Sequence, residues 1–119
     1  MQRNKMNIEE IQQYCKSLPG VTEDVKWEDD LCFNIGGKMF AVTSLTEKDT
    51  LSFKVNPEEF DLLIETSQFE PAPYLGRYQW ISMDFTQIPE NELRSYLEKS
   101  YQLIRSKLPK KVLRKIEES

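Results

Sequence analysis

Leu31-Cys32-Phe33-Asn34-Ile35-Gly36-Gly37-Lys38-Met39-Phe40-Ala41-Val42-Thr43 is the stretch that decides the fold. Leu31, Phe33 and Ile35 alternate with Cys32 and Asn34, a period of two that puts the apolar side chains on one face of a strand. Gly36-Gly37 tolerates the positive φ values of a two-residue hairpin turn, and Lys38 to Thr43 returns as a second strand. Thr46 to Thr50 reads as a polar turn, after which Leu51, Phe53 and Val55 alternate as a third strand. Strands joined by hairpins rather than crossovers form an antiparallel meander with one apolar face.

Toward the N-terminus, Asn7-Ile8-Glu9-Glu10 has the spacing of a capping box, and Ile8, Ile11, Cys15 and Leu18 recur at helical spacing. The spacing predicts a helix over 7–17, stopped by Pro19-Gly20. Toward the C-terminus, Asn56-Pro57 opens a second helix with Phe60, Leu63 and Ile64 on its buried side. A loop with Pro71 and Pro73 follows, with a short edge strand expected around Tyr74-Leu75, and Trp80 to Phe85 reads as the next strand. A third helix begins near Pro89, its stripe running through Leu93, Leu97, Ser100/Tyr101, Ile104 and Leu108. Pro109 breaks it ahead of a short last helix carrying Val112, Leu113 and Ile116. The expected fold is α+β: an antiparallel sheet with helices packed mainly on one face, in the order α-β-β-β-α-β-β-α-α. Residues 1–119 are read as a single domain.

The 119 residues are 39% hydrophobic and 30% charged, with a formal net charge of −4. A chain of this length holds a core without metal or disulfide staples. Histidine is absent, which excludes Ser-His-Asp, Cys-His and His-ligated metal chemistry. Cys15 and Cys32 are too few and too far apart for a disulfide framework, and both read as small hydrophobes. No cofactor or metal is expected. The run Glu23, Asp24, Glu28, Asp29 and Asp30 around Trp27 matches no calcium loop and reads as a solvated turn. No apolar run approaches the ~18 residues of a membrane span. A cytoplasmic location without a membrane partner is the expectation.

Charge is unevenly spread. Residues 1–89 carry 8 basic and 15 acidic side chains, residues 90–119 carry 8 and 5. The C-terminal excess sits in Arg105, Lys107, Lys110, Lys111, Arg114 and Lys115. Such a tract binds phosphates by counterion release, or it complements the negative end of the preceding helix and keeps the tail soluble. On the strands, Lys38 follows the glycine turn, Lys54 points opposite Phe53 and Val55, and Arg77 precedes Tyr78 and Trp80. If the helices cover one sheet face, Lys54 lies on the other, near the two rings. Lysine, arginine and aromatics on an open sheet suit phosphate gripping and base stacking. Edge protection by lysine and core packing by tryptophan are the structural alternatives.

Several segments together resemble the MmcQ/YjbR family of small bacterial proteins. They are Leu18-Pro19-Gly20, Lys26-Trp27-Glu28, Gly37-Lys38-Met39-Phe40-Ala41, Leu51-Ser52-Phe53-Lys54, Ala72-Pro73-Tyr74-Leu75-Gly76-Arg77, Trp80-Ile81, Ser100-Tyr101-Gln102-Leu103-Ile104 and Lys107-Leu108-Pro109-Lys110-Lys111. The resemblance implies a secretion-chaperone-like fold and a DNA-binding assignment through a double-wing motif. Where the family commonly carries His before the tryptophan, Gln79 stands here, and it supplies no ionisable imidazole at that place. The expectation is a non-enzymatic DNA-binding protein. Its site comprises Lys38, Lys54, Arg77, Tyr78, Trp80, Lys107, Lys110, Lys111, Arg114 and Lys115. The alternative is a protein–protein or chaperone-like module, with a second copy or a peptide as partner.

Overall fold

Six antiparallel strands organise the protein, whose computed structural model describes residues 5–46 and 49–118. In chain order the elements are α1 (Ile8–Ser17), β1 (Val21–Lys26), β2 (Asp30–Ile35), β3 (Lys38–Ser44), β4 (Thr50–Lys54), α2 (Pro57–Leu63), β5 (Phe69–Pro71), β6 (Trp80–Asp84), α3 (Glu90–Arg105) and α4 (Lys110–Glu118). The strands lie in the order β1-β2-β3-β4-β6-β5. The α+β class and the antiparallel sheet are as expected. The middle of the expected turn between β3 and β4, residues 47 and 48, lies outside the described residues.

Two strands differ from the sequence reading. Residues 21–26, read as part of a solvated acidic turn, form edge strand β1 against β2. Its middle core-side residue is Glu23, which hides the apolar alternation. The carboxylate is held by α1, with Gln12 Nε2 at 2.8 Å and Lys16 Nζ at 2.8 Å. The far edge strand is Phe69–Pro71 rather than Tyr74-Leu75. Phe69 pairs with Met83 and is buried, while Pro71 is tolerated because an edge strand needs only one row of ladder bonds.

Side chains facing the helices run in rows across the sheet. Leu31, Thr43, Leu51, Met83 and Phe69 form one row, and Phe33, Ala41, Phe53 and Ile81 the next. Ile11 and Cys15 of α1 and Leu93, Leu97 and Tyr101 of α3 bury themselves with these rows. A register shift between Phe33 and Asn34 accompanies the burial of both Phe40 and Ala41. The Phe40 ring meets Tyr101 edge-on at 5.5 Å.

Local chemistry fixes the helix ends. Asn7 Oδ1 accepts from the Glu10 N–H at 2.8 Å and Glu10 Oε1 from the Asn7 N–H at 3.0 Å, completing the capping box. The last helix docks. Ile116 and Leu108 lie so close to Gly20 and Gly36 that a Cβ there would stand 2.7 and 2.6 Å from them. Both glycines also have positive φ, +79° and +58°, so glycine serves the turn and the helix contact at once.

Candidate nucleic-acid interface

Register decides which charges meet. Because the ladder is antiparallel, the end of β2, the start of β3, the end of β4 and the start of β6 share one end of the sheet. Lys38, Lys54 and the Arg77-Tyr78 turn therefore lie at that end, and Lys54 pairs directly with Trp80. The C-terminus of α3 joins them: Ser100 Oγ accepts from the Lys54 N–H at 2.9 Å and donates to the Phe40 carbonyl at 2.6 Å. Lys107 follows in the linker, and α4 begins beside Gly36 with Lys110 and Lys111 exposed.

Lys54 Nζ donates to the Tyr78 carbonyl. Burial pushes this ammonium below its ordinary value of 10.5, and the nearby Lys107 charge lowers it further. The Arg77 guanidinium stands 4.8 Å from the centroid of the Tyr78 ring. Tyr78 is 51% exposed and presented to solvent, whereas Trp80 is 6% exposed and enclosed. Its backbone is clasped by the preceding loop, with the Ala72 N–H donating to the Trp80 carbonyl at 3.0 Å. Of the two rings expected to stack a base, the structure presents Tyr78.

Among the described residues, no carboxylate lies within salt-bridge distance of Lys38, Lys54, Arg77, Lys107, Lys110, Lys111 or Arg114. Lys16, Lys26, Arg94, Lys99 and Arg105, by contrast, each reach one. Lys115 is exposed on α4 and has an interaction of its own. Lys110 and Lys111 follow the C-terminal end of α3 and open α4. They stand in the first turn of α4, at the positive end of that helix, with no acidic residue beside them there.

Carboxylates gather at the other end of the sheet, where Glu28, Asp29, Asp30, Asp49 and Asp84 sit. The face away from α1 and α3 carries the row Asp24, Cys32, Val42, Ser52, Ser82 and Glu70. This face is open and concave over a volume of about 720 Å³ between Trp27 on one side and the Ala72–Leu75 loop on the other. None of the ten expected site residues lines it. Lys54 shares the open face with Ser52, as expected, but at its margin, and the cations gather at that end of the sheet rather than across the face. Sequence reading named none of the residues that line this hollow as site residues, although a signal was present: Val42, Ser52 and Ser82 occupy the positions facing away from the apolar rows.

Both cysteines are free thiols and buried. Burial pushes Cys15 up to about 12 and Cys32 up to about 11, so each stays protonated. No group of three or more His, Cys, Asp or Glu that would hold a metal occurs among the described residues. No helix among them is long and apolar enough to cross a membrane.

The family model described as YjbR matches residues 16–103. The chain belongs to the YjbR family. Its fold is shared by a Deinococcus radiodurans protein described by the domain name DUF419, at 25% identity and a TM-score of 0.85, over 98% of this chain and 92% of that one. A Pseudomonas syringae protein solved as a structural genomics target shares it at 23% identity and a TM-score of 0.69, over 82% of this chain and 98% of that one. No curated protein gives a significant match. YjbR membership thus covers β1 to most of α3. The basic linker and α4 lie beyond the matched residues.

Proposed function

We propose that this YjbR protein is a non-enzymatic, cytoplasmic DNA-binding domain that grips the phosphate backbone with the basic end of its sheet. Lys54, Arg77 and Lys107 form the centre of the grip, Lys38 and the α4 residues Lys110, Lys111 and Arg114 extend it, and Tyr78 offers a ring to an unstacked base. The observation that carries this reading is the separation of cations into two sets. Those at the basic end lack carboxylate partners among the described residues, and most of those elsewhere have them. Unpaired cations drawn to one end cost self-repulsion, which a phosphate chain relieves. A net charge of −4 does not oppose this, since a ligand approaching one end responds to the local field.

The test is fluorescence anisotropy with short labelled duplex and single-stranded DNA at low salt. The expected result is measurable affinity that falls by about tenfold or more in the Lys54→Ala/Arg77→Ala double variant, with a comparable loss in Lys110→Ala/Lys111→Ala. Absence of affinity at low salt, or an affinity unchanged in both double variants, removes the proposal.

A further inference from the structure

The hollow on the open sheet face has a chemistry opposite to that of the basic end. Its floor is the register row Val42, Ser52 and Ser82 across three neighbouring strands, where short side chains leave room that larger ones would fill. Its volume of about 720 Å³ falls within the range of small-molecule sites. Two large rings border it and neither is packed away: Trp27 is 67% exposed and Tyr74 96%.

Both ring-bearing residues have left-handed backbone, Trp27 at φ +50° and Tyr74 at +65°. Side chains of this bulk rarely adopt that conformation, and holding one there is strained. Neither ring offsets that strain by burial. The charged groups among the lining residues are Asp30 and Glu70, both acidic. Glu70 faces Ser82 across the ladder, and among the described residues its carboxylate has no hydrogen bond or ion pair.

We infer that this hollow is a binding site for a small organic cation, an amine or guanidinium attached to an apolar body. The carboxylate of Glu70 takes the charge, the ring of Tyr74 on the same side supplies cation–π attraction, and Val42 and the ring of Trp27 across the hollow accept the apolar part. The hydroxyls of Ser52 and Ser82 accept from the remaining N–H donors. Carboxylates without a lining cation disfavour phosphate and carboxylate ligands, so this site is separate from the DNA grip and does not depend on it.

The experiment is isothermal calorimetry of the full chain with phenethylamine, agmatine and the shape-matched anion 3-phenylpropionate. Phenethylamine is expected to bind at least about tenfold more tightly than 3-phenylpropionate, to weaken in Glu70→Gln, and to lose binding in Ser52→Phe, which fills the floor from the side away from the core. Agmatine is expected to bind as well, through its guanidinium. Circular dichroism confirms that each variant is folded, and Glu70→Gln decides the matter if Ser52→Phe is not. Failure of both cations to bind, equal affinity for the anion, or phenethylamine binding that survives every folded variant overturns the inference.

Discussion

Ser100 stands in the apolar stripe of α3, yet its hydroxyl joins two strands. The β3–β4 ladder ends at the Ala41–Phe53 pair, and the next rung would bring Phe40 and Lys54 together. Ser100 Oγ bridges that rung, donating to the Phe40 carbonyl and accepting from the Lys54 N–H. Ser100→Ala leaves both backbone groups without this partner in a buried setting and is expected to cost about 2–3 kcal/mol in urea unfolding. A cost near zero would mean that water replaces the hydroxyl. Glu23 acts at the opposite edge. The hydrogen bond from Lys16 holds its carboxyl below the ordinary 4.5, with a further contribution from Gln12. A carboxyl with a depressed folded-state pKa stabilises above its unfolded value, and that stability is lost as pH falls through the folded value. Wild type is therefore expected to lose stability over Glu23→Gln as pH drops below about 4.5, the two converging in acid; parallel stability curves would contradict this. Lys54 has the opposite consequence for binding. With its pKa depressed, it loses its charge before an ordinary lysine as pH rises. The Lys54 contribution to DNA affinity, measured as wild type against Lys54→Ala, is expected to shrink toward alkaline pH.

Elements were legible where one periodicity dominated. Alternation in Leu31, Phe33 and Ile35 and in Leu51 and Phe53 located β2 and β4, and the Asn7–Glu10 box located α1. Strand β1 was not legible, because Glu23 occupies a core-side place that only its α1 partners make tolerable. Strand β5 was misplaced because Pro71 argues against a strand unless the edge position is known. At the site, strand parity put Tyr78 and Trp80 near Lys54, although Arg77 and Tyr78 stand in a turn ahead of β6 rather than in the strand. The enclosure of Trp80 did not follow from parity, since it depends on how the Ala72–Leu75 loop returns over β6. The docking of α4 was equally hidden, because it rests on Gly20 and Gly36 leaving space for Ile116 and Leu108. Gly36→Ala introduces both left-handed strain and a clash with Leu108. It is expected to destabilise by about 1–3 kcal/mol and to speed hydrogen exchange in α4. Unchanged exchange in α4 would show that the helix is held elsewhere.

At the scale of the whole molecule, charge is unevenly distributed along the strands. Among the described residues, cations without acidic partners gather at the end where β3 starts and β4 ends, and carboxylates gather at the other end and border the open face. Steering by such a field orients an approaching polyanion toward the basic end even though the net charge is negative. Counterion release makes this quantitative. The most direct measurement is the slope of log affinity for duplex DNA against log salt concentration, in wild type and in the Lys107→Ala/Lys111→Ala variant. The account predicts a negative wild-type slope of about four units or more, reduced by about two in the double variant. A slope near zero, or one identical in the two proteins, would contradict it.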